Sequence, residues 1–450
     1  YLTKLISGVW TGTMCLTESH AGSDLGLIRT KAEPNPDGSY SITGEKIFIS
    51  AGEHDLSENI IHIVLARLPQ APAGTKGISL FIVPKFNVSD DGQVLDHNKV
   101  VCSAIEHKMG IHGNATCVLN FDGAQGYLIG PENRGLNCMF TFMNTARIGT
   151  AVQGLAASEI SFQGALSYAT ERLAMRSLSG PQYPDKNADP IIVHPAVRAM
   201  LMTQKAFSEG GRALAYFLAQ HVDIVESSND QEQQKHSDEL LAFLTPIAKA
   251  FLTESGNESA KHGVQVFGGH GFIVEHGMEQ IIRDARISTL YEGTTEIQSL
   301  DLLARKVLKS EGKLLKNMAD LIDQFIGQQQ SNEVLKPYLE KLAELKQQWL
   351  SLTKSIAEKA KHNPEEIGAA SVDYLYFSSY VVFAYLWARM AQVAHEKLES
   401  SKQEEVFYKA KLTTAKFFYQ KLLHRTQSHA ASIESGADAV MELDQDAFAF

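Results

Sequence analysis

The period of the apolar residues changes near residue 135. Before it, apolar positions alternate in short runs separated by Gly, Pro and polar clusters. The stretch GSYSITGEKIFIS at 38–50 holds two short alternating segments around Gly44, which predicts a hairpin. Residues 60–68 and 77–86 predict two further strands split by a Pro/Gly turn. Residues 106–113 predict a loop, and 115–121 a strand after it. Many short strands with glycine turns predict a compact barrel or sandwich rather than βαβ units.

After 135 the spacing becomes helical. Residues 137–170 contain few breakers and many Ala and Met, and 194–226 repeat that behaviour. The polar stretch SSNDQEQQKHSD at 227–238 predicts a solvated connection or frayed helix ends. Helix is predicted again over 239–266, two glycine-rich clusters follow, and 296–308 resume a helix. The middle third therefore reads as a bundle of long helices. Residues 309–450 form a further helical region. There Leu335, Tyr338, Leu342, Leu345, Trp349 and Leu352 recur at spacings of three and four, one stripe on one face. The stripe is too brief for an extended coiled coil and predicts packing against neighbouring helices. The most apolar run, YLYFSSYVVFAYLWA at 374–388, is shorter than the roughly 20 residues a bilayer requires. Asp373 and Arg389 bracket it, so it predicts a buried helix and no membrane span. The expected class is α+β. The division is a β-domain at 1–134, a helical bundle at 135–308 and an additional helical domain at 309–450.

Composition narrows the function classes. Hydrophobic residues make up 44% and charged residues 21% of the 450, which excludes wholesale disorder. The net charge of -11 disfavours nucleic acid as a partner unless a local basic patch overcomes the mean field. Cys15, Cys102, Cys117 and Cys138 lie far apart with no CxxC pair, so neither a disulfide framework nor a zinc site is expected. The 16 His residues form no HExxH or other compact ligand spacing, and no metal is expected. Ser19, Ser23 and Ser50 lie outside any GxSxG, which gives hydrolase chemistry little support.

Three segments carry candidate chemistry. TESHAGSDL at 17–25 puts Gly and small hydroxyl residues in a loop, where backbone N–H groups can approach an anion or a ring edge. QVFGGHGF at 265–272 places three glycines after a helix. It is neither a P-loop nor a Rossmann fingerprint, since no GKS or GKT follows and no strand precedes it. RDARI at 283–287 and YEGTTEIQ at 291–298 come next. Thr295 and Gln298 have capping-box spacing, so a helix is expected to begin there, with N–H groups able to receive a phosphate. Glu292 lies just before it. A carboxylate in an enclosed apolar site gains proton affinity, which suits a general base.

Together and in this order, the segments resemble the acyl-CoA dehydrogenase flavoprotein family over roughly residues 10–308. The helical tail is similar to that of the family's large members. The resemblance implies an N-terminal helical domain, a middle β-domain and a four-helix domain, with FAD lying between domains and subunits. The β-domain signature begins at Thr17, so the N-terminal helical domain is expected to be missing and Tyr1 to be a cut edge. The implied reaction is α,β-dehydrogenation of an acyl-CoA to a trans-2-enoyl-CoA. Glu292 takes the α-proton and a β-hydride passes to flavin N5. The implied flavin contacts are Thr17, Ser23, Phe48, Ser50, Arg172, Gln265, Gly268, Gly269 and Thr294. Phe48 stands where the family usually has Trp, and Met175-Arg176 replace the usual Phe-Gly after Arg172. Glu296 stands where relatives often have a neutral residue and is left out of the site. Arg147 and Gly293 are the implied substrate contacts, with the Glu292 N–H as a donor to the thioester oxygen. The implied partners are an acyl-CoA, an electron-transfer flavoprotein and a second copy, as a homodimer or a dimer of dimers, in the cytoplasm. An oxygen-using acyl-CoA oxidase and a truncated or repurposed non-enzymatic scaffold stay open as alternatives.

Overall fold

A computed structural model describes residues 1–400 and 403–449. The chain forms two compact units, Tyr1–Asn144 and Thr145–Phe450. The first opens on the short helix α1 (Leu2–Ile6) and holds nine strands: β1 (Trp10–Cys15), β2 (Lys31–Pro34), β3 (Tyr40–Ser50), β4 (Asn59–Ala66), β5 (Ser79–Pro84), β6 (Phe86–Val88), β7 (Val94–His97), β8 (Val100–Ile105) and β9 (Thr116–Ile129). Seven form one sheet in the order β1-β4-β5-β9-β3-β2, with β8 also on β9, while β6 and β7 pair with each other. A bridge between Lys31 and Arg67 joins β2 to the chain just after β4 and draws the sheet towards closure. Inside, Cys15, Ile42, Val64, Phe81, Cys117, Leu119 and Phe121 make the core. β4 and β5 are buried on both faces, with Leu65 and Leu80 in a second cluster opposite Val64 and Phe81, as expected for central strands.

The expected hairpin at 38–50 is instead one continuous strand, β3, paired with β2 on one side and β9 on the other. Gly44 makes no turn, because Thr30 packs directly beside it. A first irregularity lies beside Gly44, between Ile42 and Thr43, and a second lies further on. The register with β9 shifts between Lys46 and Ile49, and Phe48 takes a left-handed φ of 60° at this bulge.

Helix α2 (Gly135–Glu171) starts within the first unit and continues into the second. There α3 (Pro195–Ser227) and α4 (Gln231–Phe267) run beside each other, followed by α5 (Met278–Arg286) and α6 (Thr295–Leu300). The polar stretch after 227 shrinks to three residues. Asp230 caps α4 by accepting from Glu232 N at 3.0 Å and Gln233 N at 3.2 Å, so the helix begins earlier than the apolar pattern indicated. After α6 the chain continues as a π-helix over Asp301–Leu308.

The tail adds α7 (Lys313–Gln329), α8 (Lys336–Ala360), α9 (Glu365–Ser400), α10 (Glu405–Phe417), α11 (Arg425–Ser435) and α12 (Asp438–Met441). The stripe foreseen on α8 is its buried face, with Leu342, Leu345, Trp349 and Leu352 inside. The apolar run 374–388 is the middle of α9, buried throughout except for the half-buried Tyr376. It packs against α8, α10 and α11. Residues from α3, α4 and the tail share one continuous core, so the tail is built onto the bundle. It also meets α6, where Ser299 Oγ donates to Ser371 Oγ of α9 at 3.1 Å.

Candidate active site

In the first unit, the TESHAGSDL loop is organised by a buried carboxylate. Glu18 accepts from Arg29 N at 2.7 Å, Thr30 N at 3.0 Å, Thr30 Oγ1 at 2.6 Å and Lys46 Nζ at 2.9 Å. Lys46 is fully buried and gives a second hydrogen bond to Leu16 O at 2.9 Å. Burial opposes charge on Glu18, but the Lys46 ammonium, the Thr30 hydroxyl and the Arg29 N–H outweigh it and hold the carboxyl at about 2. Thr17 O then accepts from Ile47 N at 2.9 Å, which ties the loop to β3 beside the bulge. The consequence is a prepared surface. Phe48 is 61% exposed, a large apolar ring facing outward from a strained backbone position. Ser50 and Ser23 are exposed and Thr17 is half-buried.

In the second unit, Arg172 at the end of α2 shares a groove of about 380 Å³ with Gly268 and Gly269 at the end of α4. Tyr168, Ile191, Val266 and Phe267 form its apolar part. Among the described residues the Arg172 guanidinium has neither a hydrogen bond nor an ion pair, which leaves it available to an anion. Neither glycine has a neighbour where a Cβ would stand, so bare backbone faces the groove. Gln265 is exposed one turn before. Tyr168 stacks on Phe267 with centroids 4.1 Å apart, and its hydroxyl meets His270 Nδ1 at 2.8 Å. Thr294 lies elsewhere, as the cap of α6.

The third arrangement surrounds Glu292. Helices α2 and α4 cross where a Cβ on Gly154 would stand 2.3 Å from Leu252 O, and one on Gly256 2.5 Å from Gly154 O. Only glycine allows that approach. Arg147 and Lys249 each stand about two turns before these glycines, on the faces that look towards residues 292–293. Arg147 lies well inside α2. It is largely buried, with Asp301 at 3.7 Å. Burial raises the proton affinity of Glu292, while Arg147 and Lys249 pull it back. Glu292 Oε2 is buried and has no hydrogen-bond partner among the described residues. The Glu292 N–H likewise has no acceptor among them.

The expected capping box is absent. Thr294, not Thr295, caps α6 by accepting from Ile297 N at 3.3 Å. Thr295 Oγ1 donates instead to Glu254 Oε1 at 2.6 Å, and Gln298 Nε2 to Glu292 O at 2.9 Å. Glu296 is exposed. Tyr291 hydrogen-bonds Gln153 through its hydroxyl.

Sequence comparison gives the same order of parts. The model "Acyl-CoA dehydrogenase, middle domain" matches residues 13–124, and "Acyl-CoA dehydrogenase, C-terminal domain" matches 133–308. "Acetyl-CoA dehydrogenase C-terminal like" matches 314–444. The chain is 41% identical to the 3-methylmercaptopropionyl-CoA dehydrogenase of Ruegeria pomeroyi, over 98% of this chain and 74% of that protein. The chain belongs to the acyl-CoA dehydrogenase family. A broad-specificity linear acyl-CoA dehydrogenase of Mycobacterium tuberculosis is 35% identical, over 98% of this chain and 74% of that protein. Among solved structures, an acyl-CoA dehydrogenase of Bacillus anthracis complexed with FAD shares the fold, with a TM-score of 0.73 at 23% identity. That match covers 94% of this chain and 68% of the other. As a member of the acyl-CoA dehydrogenase family, the chain falls among FAD-dependent oxidoreductases with acyl-CoA substrates.

Two residues with evident structural work carried no assignment in the sequence, Lys46 and Lys249, and Gln298 was expected only in a capping box. Lys249 did leave a signal, a lone cation in the apolar helical run LLAFLTPIAKAFL at 240–252. A lysine there has to find a partner inside the fold.

Proposed function

We propose that Glu292 abstracts the α-proton of an acyl-CoA thioester, in an α,β-dehydrogenation that yields a trans-2-enoyl-CoA. The observation that carries this reading is the Glu292 carboxylate, raised in proton affinity by burial, with one buried oxygen left without a partner among the described residues. An α-proton beside a thioester is weakly acidic, so its removal needs a desolvated base and a donor at the thioester oxygen. The free Glu292 N–H supplies that donor next to the base. Arg147 and Lys249 keep enough positive charge nearby for the carboxylate to ionise. Gly293 lets the chain turn beside the substrate.

The residues present suit FAD. Phe48 offers an apolar face for a flat ring, and Thr17, Ser23 and Ser50 offer hydroxyl and N–H groups around it. Arg172, Gln265, Gly268 and Gly269 offer a cation and bare backbone to a diphosphate and adenosine, and Thr294 a further hydroxyl. FAD when bound supplies the acceptor for the β-hydride. Our reading continues with a homodimer or dimer of dimers that passes electrons to an electron-transfer flavoprotein. It places the enzyme in the cytoplasm, which suits its four free cysteines.

The substrate class we propose is a short acyl-CoA. Support comes from relatives named for 3-methylmercaptopropionyl-CoA and butyryl-CoA, at 41% and 32–33% identity over nearly the whole chain. The test is anaerobic mixing of FAD-loaded protein with each of these thioesters while flavin absorbance is followed. Loss of absorbance with one or both is expected, with slow return in oxygen and fast return with electron-transfer flavoprotein. Fast return in oxygen alone means an oxidase instead. No loss with any acyl-CoA refutes the proposal.

A further inference from the structure

Glu292 and Gly293 are consecutive residues in the left-handed region, with φ of 56° and 91°. A non-glycine residue keeps such a backbone only where its surroundings over-determine it. Two buried side chains do so here. Gln298 Nε2 donates to Glu292 O at 2.9 Å, and Lys249 Nζ donates to Gly293 O at 2.6 Å. Both donors are 0% exposed. They come from different helices, α6 and α4, and grip the carbonyls on the two sides of Gly293. A side chain at Gly293 would collide with the clamp, since a Cβ there stands 2.5 Å from Gln298 Nε2.

The use made of the lysine is informative. A buried ammonium beside a buried carboxylate ordinarily pairs with it. Lys249 forms no ion pair with Glu292 within 4.0 Å and gives its hydrogen bond to a neutral carbonyl. The base therefore keeps a free oxygen while still sensing the charge.

We infer that Lys249 and Gln298 are positioning residues for the base, which by holding these two carbonyls fix where the Glu292 carboxylate and N–H point. This rests on reading Glu292 as the proton-abstracting base. Lys249 has a second effect through its charge. The groups around the pair are Arg147 from α2 with its partner Asp301, Tyr291, Glu254 from α4 and Glu296 from α6. Of these, Arg147 alone shares with Lys249 the work of lowering the proton affinity of Glu292. Burial brings Lys249 itself down to about 8, against the opposing pull of Glu292. A neutral amine above that pH still donates to Gly293 O.

The test compares Lys249→Met, Gln298→Leu and Glu292→Gln in the FAD-loaded full chain, with butyryl-CoA as the probe substrate. Lys249→Met is expected to lower kcat by about 100-fold with KM changed less than about threefold, as misorientation of a base predicts. The acidic limb of its kcat/KM profile moves to higher pH, because a cation that favoured ionised Glu292 is gone. Gln298→Leu is expected to lower kcat similarly but to leave the limb in place, since it removes a clamp and no charge. A purely structural lysine would lower melting temperature and FAD content without moving the limb. The inference is overturned if Lys249→Met leaves the limb unmoved, or if either variant keeps kcat within about threefold of the parent. If Lys249→Met does not yield folded holoenzyme, the kcat of Gln298→Leu decides. Turnover by Glu292→Gln would instead overturn the assignment of the base, a separate failure.

Discussion

The Glu18–Lys46 pair makes a demanding prediction because the sequence gives no hint of the contact. Replacing Glu18 with Ala removes the acceptor for Arg29 N, Thr30 N and Thr30 Oγ1, and leaves a fully buried ammonium with Leu16 O alone. Breaking a buried pair from one side costs about 3–5 kcal/mol, since an uncompensated charge stays behind. The carboxyl gives a second route to the same figure. Its fall from 4.5 to about 2 corresponds to about 3 kcal/mol of preference for the folded environment. The assay is hydrogen–deuterium exchange over 16–30 and 40–50 in the FAD-loaded protein, which reads local opening free energy. Glu18→Ala should lower protection there by the full amount. Lys46→Met in the same background should recover about 1–3 kcal/mol, as expected for residues in one network. The pH dependence has a definite sign. Glu18 has a depressed folded value, so its stabilisation is complete above about 4.5 and is lost as pH falls towards 2. A Glu18→Ala protein whose loop opens within about 1 kcal/mol of the parent refutes the reasoning.

Two other predictions concern the site. Gly293→Ala meets Gln298 Nε2 at 2.5 Å in a left-handed backbone, so kcat should fall by about 100-fold while FAD content is kept, measured by steady-state kinetics and flavin absorbance. Arg172→Ala removes the free guanidinium of the glycine groove, and titration of apoprotein should show FAD affinity weakened about 10- to 100-fold, as for a lost charged hydrogen bond.

What could be read from the sequence follows the range of the interactions involved. Helices α2, α3, α4 and α8 were legible because helical period is a local signal repeated over several turns, as in the Leu342-Leu345-Trp349-Leu352 face. The strand at 40–50 was misread because its continuity depends on Thr30 and β9, which lie far from Gly44 in sequence. The cap of α6 was misplaced by one residue for a related reason. Thr295 is drawn to Glu254 and Gln298 to Glu292 O, so tertiary partners override the local spacing. The motifs marked Glu292, Arg172 and the two glycines as candidates. The buried environment of Arg147, the clamp at Lys249 and the Glu18–Lys46 pair needed the fold, because each joins elements separated by many residues.

The central claim is that Glu292 is the base. Its most direct test is Glu292→Gln, nearly isosteric and able to keep the backbone N–H and both carbonyl contacts. Mixed anaerobically with butyryl-CoA or 3-methylmercaptopropionyl-CoA, the purified FAD-loaded variant should bind the thioester and keep its flavin absorbance, with the rate of bleaching down by at least about 100-fold. Bleaching at a rate comparable to the parent, with FAD content equal, would contradict the account.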